Sequence, residues 1–355
     1  DEINQKEKRV IAGGHSDYNS HFHVGDNIWK WSSGAGFRYD HIMDIALYHA
    51  QNRHQIGTYS LGDIDESNMF AFAGMEINLG PVMINPSVRV DWFHFSYADK
   101  TAEIYNDRGT AQAFVSPKLN ITYNPTSNLQ LYLKGGRGFH SNDARVVVVE
   151  DGKNVLPQAL GADFGVHWKP LDNIVVNAAL WYLHMNQEFV YVGDEAVVEP
   201  SGKSRRYGVD AGLRWEFLKN FYLQADYTYS NARMTEEPTG ENYIPLAPIN
   251  TMLAGISYKN KHVSAGIHTR WIGNRPANED YSLTAKGYCI TDLNASYTWK
   301  KLTVGAIIEN LFNAKWREAQ FATETLIPGD SQSVTDICFT PGTPFALRGF
   351  VTFTF

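Results

Sequence analysis

The sequence predicts an all-β chain, an antiparallel transmembrane β-barrel of which about fifteen strands fall within its 355 residues. Three observations lead there. Apolar and polar residues alternate with a period of two in segment after segment, the spacing of a strand with one face in an apolar medium and the other in a polar one. The connections between segments alternate between very short and long. Tyr and Trp gather near segment ends, where a membrane interface favours them.

Composition allows this reading. The chain is 43% hydrophobic and 13% aromatic, yet no apolar run approaches the ~18 residues of a transmembrane helix. A mean hydropathy of -0.33 suits a barrel, whose strands give only alternate residues to lipid. The net charge of -7 speaks against nucleic acid as a partner, because phosphate binding needs a basic face. Cys289 and Cys338 are too few for a disulfide framework and leave open one bridge or two free thiols. The polar opening Asp1-Glu2-Ile3-Asn4-Gln5 carries no signal peptide, so the start reads as processed or truncated.

In chain order, residues 1–27 read as an extracellular loop or truncated start, and 28–355 as the barrel domain. Strands are predicted at 28–40 and 41–51 about a turn at Asp40-His41, and at 68–79 and 82–95 about Gly80-Pro81. Next come 112–124 and 128–138 about Pro125-Thr126-Ser127, where Val115, Leu119, Ile121 and Tyr123 oppose Ser116, Lys118, Asn120 and Thr122. Strands 159–169 and 174–192 flank Leu171-Asp172-Asn173. Strands 207–218 and 221–232 flank Lys219-Asn220; here Val209, Ala211, Leu213 and Trp215 oppose Asp210, Gly212, Arg214 and Glu216. The pairs 248–258 with 261–273 and 289–300 with 302–313 turn at Lys259-Asn260 and Lys300-Lys301, and 343–355 ends the chain. Long polar connections are expected at 52–67, 97–111, 139–158, 193–206, 233–246, 274–287 and 314–342.

Short turns on one side and long loops on the other are the asymmetry of an outer-membrane barrel, so the short turns are assigned to the periplasm. Since single-chain bacterial barrels have even strand numbers, an odd count implies either a strand missed within residues 1–27 or a barrel that begins upstream. The polar, loop-like reading of 1–27 favours sequence upstream of this chain.

The last strand, Leu347-Arg348-Gly349-Phe350-Val351-Thr352-Phe353-Thr354-Phe355, alternates and ends on an aromatic residue, as outer-membrane assembly signals do; Phe355 is the expected signal for the barrel assembly machinery. Further motifs run in order along the chain: Gly36-Phe37-Arg38-Tyr39-Asp40, Val88-Arg89-Val90-Asp91, the strand exit Leu131 to Arg145 through Gly138-Phe139, Ile308-Glu309-Asn310-Leu311-Phe312-Asn313, and Thr340-Pro341-Gly342-Thr343-Pro344. Together they resemble the C-terminal part of the barrel of TonB-dependent outer-membrane receptors. The resemblance implies a barrel of about 22 strands, with an N-terminal plug, a TonB box and about seven strands lying outside this sequence. It implies as partners the membrane lipid, the missing plug and strands, the TonB energy-coupling complex reached through them, a small-molecule or chelate ligand and, by family analogy alone, a surface lipoprotein.

Charged residues on the polar faces are the expected lumen wall: Arg38, Asp40, Arg89, Asp91, Lys118, Asp210, Arg214, Asp226, Arg270, Asp292 and Arg348. An Arg or Lys costs ~2–4 kcal/mol on the lipid face at midplane. They hold a plug or neutralise one another. Arg137, Phe139, His140, Asn142, Asp143 and Arg145 join cations, donors and an aromatic at a strand exit and are the candidate substrate contacts, the alternative being a role in shaping the rim. His15, His21 and His23 are candidate metal or haem ligands, His21 and His23 sharing one face of an extended segment. Asp63-Ile64-Asp65-Glu66 reads as a solvated acidic loop, lacking the rest of a calcium site. No catalytic motif is present, so the chain is expected not to be an enzyme, and no cofactor is implied. The expected function is uptake of a scarce nutrient (a metal chelate, vitamin or glycan) with inner-membrane energy. The alternatives are a passive porin of about 16 strands and an adhesion or structural barrel.

Overall fold

A computed structural model describes residues 2–102, 106–141, 155–192, 197–326, 329 and 331–355. Every regular element among them is a strand: β1 (Glu2–Val24), β2 (Asn27–Gln51), β3 (His54–Leu79), β4 (Val82–Asp99), β5 (Asn106–Thr126), β6 (Leu129–Phe139) and β7 (Gln158–Leu171). There follow β8 (Ile174–Met185), β9 (Glu188–Val192), β10 (Val197–Ser201), β11 (Ser204–Leu218), β12 (Phe221–Met234), β13 (Asn250–Lys259) and β14 (Val263–Ile272). The last are β15 (Arg275–Pro276), β16 (Thr284–Ala285), β17 (Tyr288–Trp299), β18 (Leu302–Glu309), β19 (Arg317–Thr325), β20 (Val334–Pro341) and β21 (Ala346–Phe353). Fifteen of these make one sheet in the order β1-β2-β3-β4-β5-β6-β7-β8-β11-β12-β13-β14-β17-β18-β21. The pairs β9–β10, β15–β16 and β19–β20 are separate hairpins within long connections.

The strand count agrees with expectation, but two differences cancel within it. Residues 1–27 are not a loop: β1 occupies Glu2–Val24 and pairs with β2 from Glu2↔Ala50 to Val24↔Asn27. Its apolar set Val10, Ala12, Tyr18, Phe22 and Val24 is diluted by Gly14, Ser16 and Ser20, which hides the period of two. In turn, 28–40 and 41–51 are one strand, β2, so no turn exists at Asp40-His41. The turn that replaces it is at Gly25-Asp26, with Gly25 at φ 60°. The connection expected at 52–67 shrinks to Asn52-Arg53, because β3 begins at His54. Asn52 and Arg53 both have positive φ, 51° and 65°, the backbone of a two-residue hairpin turn whose twist suits its strands. Smaller differences place the end of β8 at Met185, with the separate strand β9 beyond it, and the end of β18 at Glu309.

By compactness the chain divides into Asp1–Thr122 with Lys134–Leu160, and Tyr123–Leu133 with Gly161–Phe355. In the first unit β2 has 25 residues and β3 has 26, over twice the ~10 a strand needs to cross a membrane. Its apolar core lies at one end of the sheet: Ile42, Ile64, Phe93, Phe95, Tyr97 and Phe114 are buried with Val155 and Leu156, which lie just before β7. In the second unit the ladder β8–β11–β12–β13–β14–β17–β18–β21 is antiparallel throughout. Its turns are tight, with Asn220 and Lys300 at φ 68° and 53°.

Both units leave large apolar side chains uncovered on one sheet face: Phe37, Met69, Val88, Val90 and Trp92 in the first, and Leu180, Tyr207, Val209, Tyr297, Trp299, Val304 and Val351 in the second. Apolar surface this extensive marks contact with an apolar medium. Because side chains alternate along a strand, the residues between them form the polar face.

Candidate functional site

In the first unit the polar face carries two copies of one local device. Arg38 of β2 donates from Nε to Asp40 Oδ2 (2.6 Å) and from Nη2 to Asp40 Oδ1 (2.9 Å). Arg89 of β4 does the same to Asp91, at 2.8 and 2.7 Å. A spacing of two residues puts each guanidinium and carboxylate on the same face, where the planar fork matches both oxygens. Asp40 and Asp91 are only 4% and 1% exposed, so each clamp compensates a nearly dehydrated carboxylate. Between them, Asn68 of β3 donates to Asp91 at 3.2 Å.

Aromatic residues complete this wall. Arg89 lies 3.9 Å over the Phe70 ring. Phe70 fits because β2 has Gly36 opposite it; a Cβ there would stand 2.6 Å from Phe70 Cζ. His15 Nε2 sits 3.3 Å from Asp17 Oδ2 in β1. Lys118 of β5 is exposed on the same kind of face.

Of the six expected substrate contacts, Asn142, Asp143 and Arg145 lie outside the described residues. Arg137 stacks 4.5 Å over Phe114. Phe139 packs edge-on against Phe93 (5.5 Å) and tilted against Phe114 (5.0 Å), and the His140 amide donates to the Pro157 carbonyl at 3.0 Å. Phe139 is therefore half-buried packing that seats residues 155–157, while Arg137 and His140 stay exposed. The inward aromatic run Phe93, Phe95 and Tyr97 went unpredicted, although its period of two beyond Asp91 could have revealed it.

His21 and His23 lie in β1 with exposed side chains. Among the described residues no three His, Cys, Asp or Glu side chains converge as metal ligands. The stretch Asp63 to Glu66 is strand, not loop. Asp63 accepts from Lys100 Nζ (2.7 Å) and the Asp44 amide (2.9 Å), and Asp65 accepts from Tyr39 Oη and lies 2.7 Å from His41 Nδ1. Lys100 bonds both Asp44 and Asp63, and those hydrogen bonds raise its pKa above the usual lysine range. Cys289 and Cys338 are both exposed free thiols.

In the second unit the polar face is a run of hydrogen-bonded charges, among them two ion pairs. Arg214 Nη2 donates to Asp226 Oδ2 (2.8 Å), Thr228 Oγ1 to Asp210 Oδ1 (2.8 Å), and the Asn310 amide to Asp292 Oδ1 (2.8 Å). Arg348 pairs with Glu309. His167 Nδ1 is 2.7 Å from Asn177 Oδ1 under the stacked Tyr132 ring. Arg270 differs: its guanidinium lies 5.8 Å from the centre of the Trp316 ring. Trp316 donates from Nε1 to the Thr343 carbonyl (3.0 Å). It lies flat on Gly342, where a Cβ would be 2.0 Å from the ring. Asn310, 2% exposed, ties this corner together with bonds to the Ala314 amide and the Ala314 and Thr343 carbonyls. Phe355 is fully exposed and packs edge-on against Phe353 at 5.3 Å.

Known proteins share this architecture. The unliganded ferric citrate transporter FecA superposes with a TM-score of 0.81 at 15% identity, covering 99% of this chain and 55% of FecA. The copper transporter OprC superposes with 0.76 at 15% identity, covering 99% and 57%. In sequence, the metal-pseudopaline receptor CntO of Pseudomonas aeruginosa is 21% identical over 238 residues, 63% of this chain and 33% of CntO. The heme/hemopexin utilization protein C of Haemophilus influenzae is 28% identical over 119 residues, 29% of this chain and 16% of its own length. The chain thus spans about a third or less of these relatives' length. The family model for the TonB dependent receptor-like β-barrel matches residues 4–311. With its fifteen-stranded antiparallel sheet and apolar outer face, the chain belongs to the TonB-dependent receptor-like β-barrel family, outer-membrane barrels of transport receptors rather than enzymes.

Proposed function

We propose that this chain walls an active uptake receptor for a scarce nutrient, a metal chelate first and a vitamin or glycan as the wider class. In this reading the polar face lines the lumen, and the turns at Gly25-Asp26, Gly80-Pro81, Lys219-Asn220 and Lys300-Lys301 face the periplasm. The opposite ends of the strands, with the short Asn52-Arg53 turn and the long connections and their hairpins, face outside the cell, where the long connections capture cargo. A plug domain belonging to the rest of the receptor seats against the wall and is rearranged by TonB.

The observation that supports it is the pair of clamped carboxylates, Asp40 and Asp91, each nearly buried and each gripped bidentately. A wall facing only channel water has no need of dehydrated charge. A wall against which a folded domain docks benefits from charges fixed in advance, because preset side chains lose little freedom on contact. The metal chelate is favoured because CntO is a metal-pseudopaline receptor and FecA a ferric citrate transporter. The family also favours a gated receptor over a passive porin or an adhesion barrel.

Uptake of radiolabelled metal chelates in cells carrying the full-length receptor tests this. Accumulation should collapse when TonB is deleted or the proton gradient is dissipated. Accumulation that continues unchanged under both treatments rules the reading out.

A further inference from the structure

Outside the clamped pairs, one corner of the second unit holds positive charge that no carboxylate among the described residues answers. Arg275 opens the short strand β15, where it pairs with Ala285 of β16. It is 9% exposed, and its Nη1 is buried without a hydrogen-bond partner. Among the described residues no carboxylate pairs with it or with Arg270. Asp292, two residues beyond the Ile290 that pairs with Arg270, accepts instead from the Asn310 amide. Burial lowers the pKa of Arg275, and Tyr288 is the group whose electrostatic interaction opposes that. Tyr288 in turn meets Trp316 at 4.9 Å between ring centres, and Trp316 carries Arg270 on its other contact.

A guanidinium dehydrated to this extent is costly unless an anion answers it. Natural structures leave few buried donors unpaired, and those that persist call for an explanation such as an absent ligand. The corner is also held firmly, by Gly342 beneath Trp316 and by the buried amide of Asn310. Ala285 is fully buried and Ala277 4% exposed beside Arg275, while Arg270 is exposed and open to a ligand from solvent.

We propose that Arg275 and Arg270, with the rings of Tyr288 and Trp316, form a binding subsite for a soluble oxyanion, a carboxylate or phosphate group carried by a small molecule. Arginine suits that role because its planar fork can give two parallel hydrogen bonds to one oxyanion. The two rings provide an apolar floor for the remainder of the molecule. Only the step from an oxyanion subsite to an anionic cargo rests on the uptake reading above; the subsite itself does not.

The test is calorimetric titration of the purified full-length receptor with citrate and with pyrophosphate, and with sucrose as the uncharged control. The two oxyanions separate a carboxylate from a phosphate preference. At least one should bind with millimolar affinity or better, sucrose should not, and Arg275→Gln and Arg270→Gln should each weaken binding by about tenfold or more. Arg275→Lys should keep part of the affinity, having charge without the fork. Without ligand, the heat-unfolding midpoint of Arg275→Gln should equal or exceed that of the parent, since an unanswered buried charge has been removed. The proposal is overturned if neither oxyanion binds up to ~10 mM, if the Gln variants bind like the parent, or if Arg275→Gln lowers the midpoint and leaves binding intact. Binding is read without TonB. Loss of affinity in the variants combined with TonB-independent uptake would therefore keep the subsite and discard the receptor reading.

Discussion

Arg89 grips Asp91 two residues along the same strand, through Nε and Nη2 at 2.8 and 2.7 Å, with its guanidinium stacked 3.9 Å over Phe70 of the neighbouring strand. The carboxylate is 1% exposed while the arginine is 41% exposed at its side chain. The two substitutions should therefore differ. Arg89→Met strands a buried negative charge and should destabilise by roughly 2–3 kcal/mol, below the full penalty for a buried pair because the arginine is half in solvent. Arg89→Met with Asp91→Leu removes both and should recover most of that loss. Urea unfolding in lipid vesicles, followed by gel mobility, measures both. Equal stability of the single and double variants would show that the clamp does not matter.

The turn at Asn52-Arg53 holds both residues at positive φ, 51° and 65°. Asparagine tolerates this conformation better than most residues, whereas arginine carries a Cβ penalty of about 1 kcal/mol. Arg53→Gly should tighten the β2–β3 hairpin and Arg53→Val should loosen it. Limited proteolysis of intact cells reads this directly, with slower cleavage near residue 53 for Gly and faster cleavage for Val. The same rate for both would mean that backbone strain at the turn is not felt.

Val351 and Thr352 are adjacent in β21 and face opposite ways. Val351 pairs with Val304 and is 69% exposed on the apolar face, while Thr352 pairs with Thr303. Val351→Arg should cost ~2–4 kcal/mol if that face meets lipid near midplane, and Thr352→Arg far less. Unfolding titrations in vesicles of fixed thickness compare the two. An equal cost at both positions would place lipid on neither face.

Much of the fold was legible because strand periodicity is a local property. The alternation in 207–218, 221–232 and 289–300 reappears as β11, β12 and β17 within a few residues. The tight turns at Gly80, Asn220 and Lys300 all follow from residues that adopt positive φ there. The misread part is equally instructive. Small residues at Gly14, Ser16 and Ser20 blanked the apolar phase of β1, and the Asp40-His41 pair looked like a turn while both residues continue β2. Polar Asp63 and Asp65 imitated a loop because their partners, Lys100 and His41, are far away in sequence.

Sequence alone determined which residues share a face, and so that Arg38 with Asp40 and Arg89 with Asp91 lie on the polar side. That information is carried by neighbours along one strand. Tertiary structure alone decided which of those charges are answered. Asp226 meets Arg214 across a ladder and Arg348 meets Glu309, whereas Arg275 is buried with no anion among the described residues. The physical reason is that charge pairing acts over a few ångströms in space, and the register that brings distant strands within that range is set by the whole sheet rather than by any one segment.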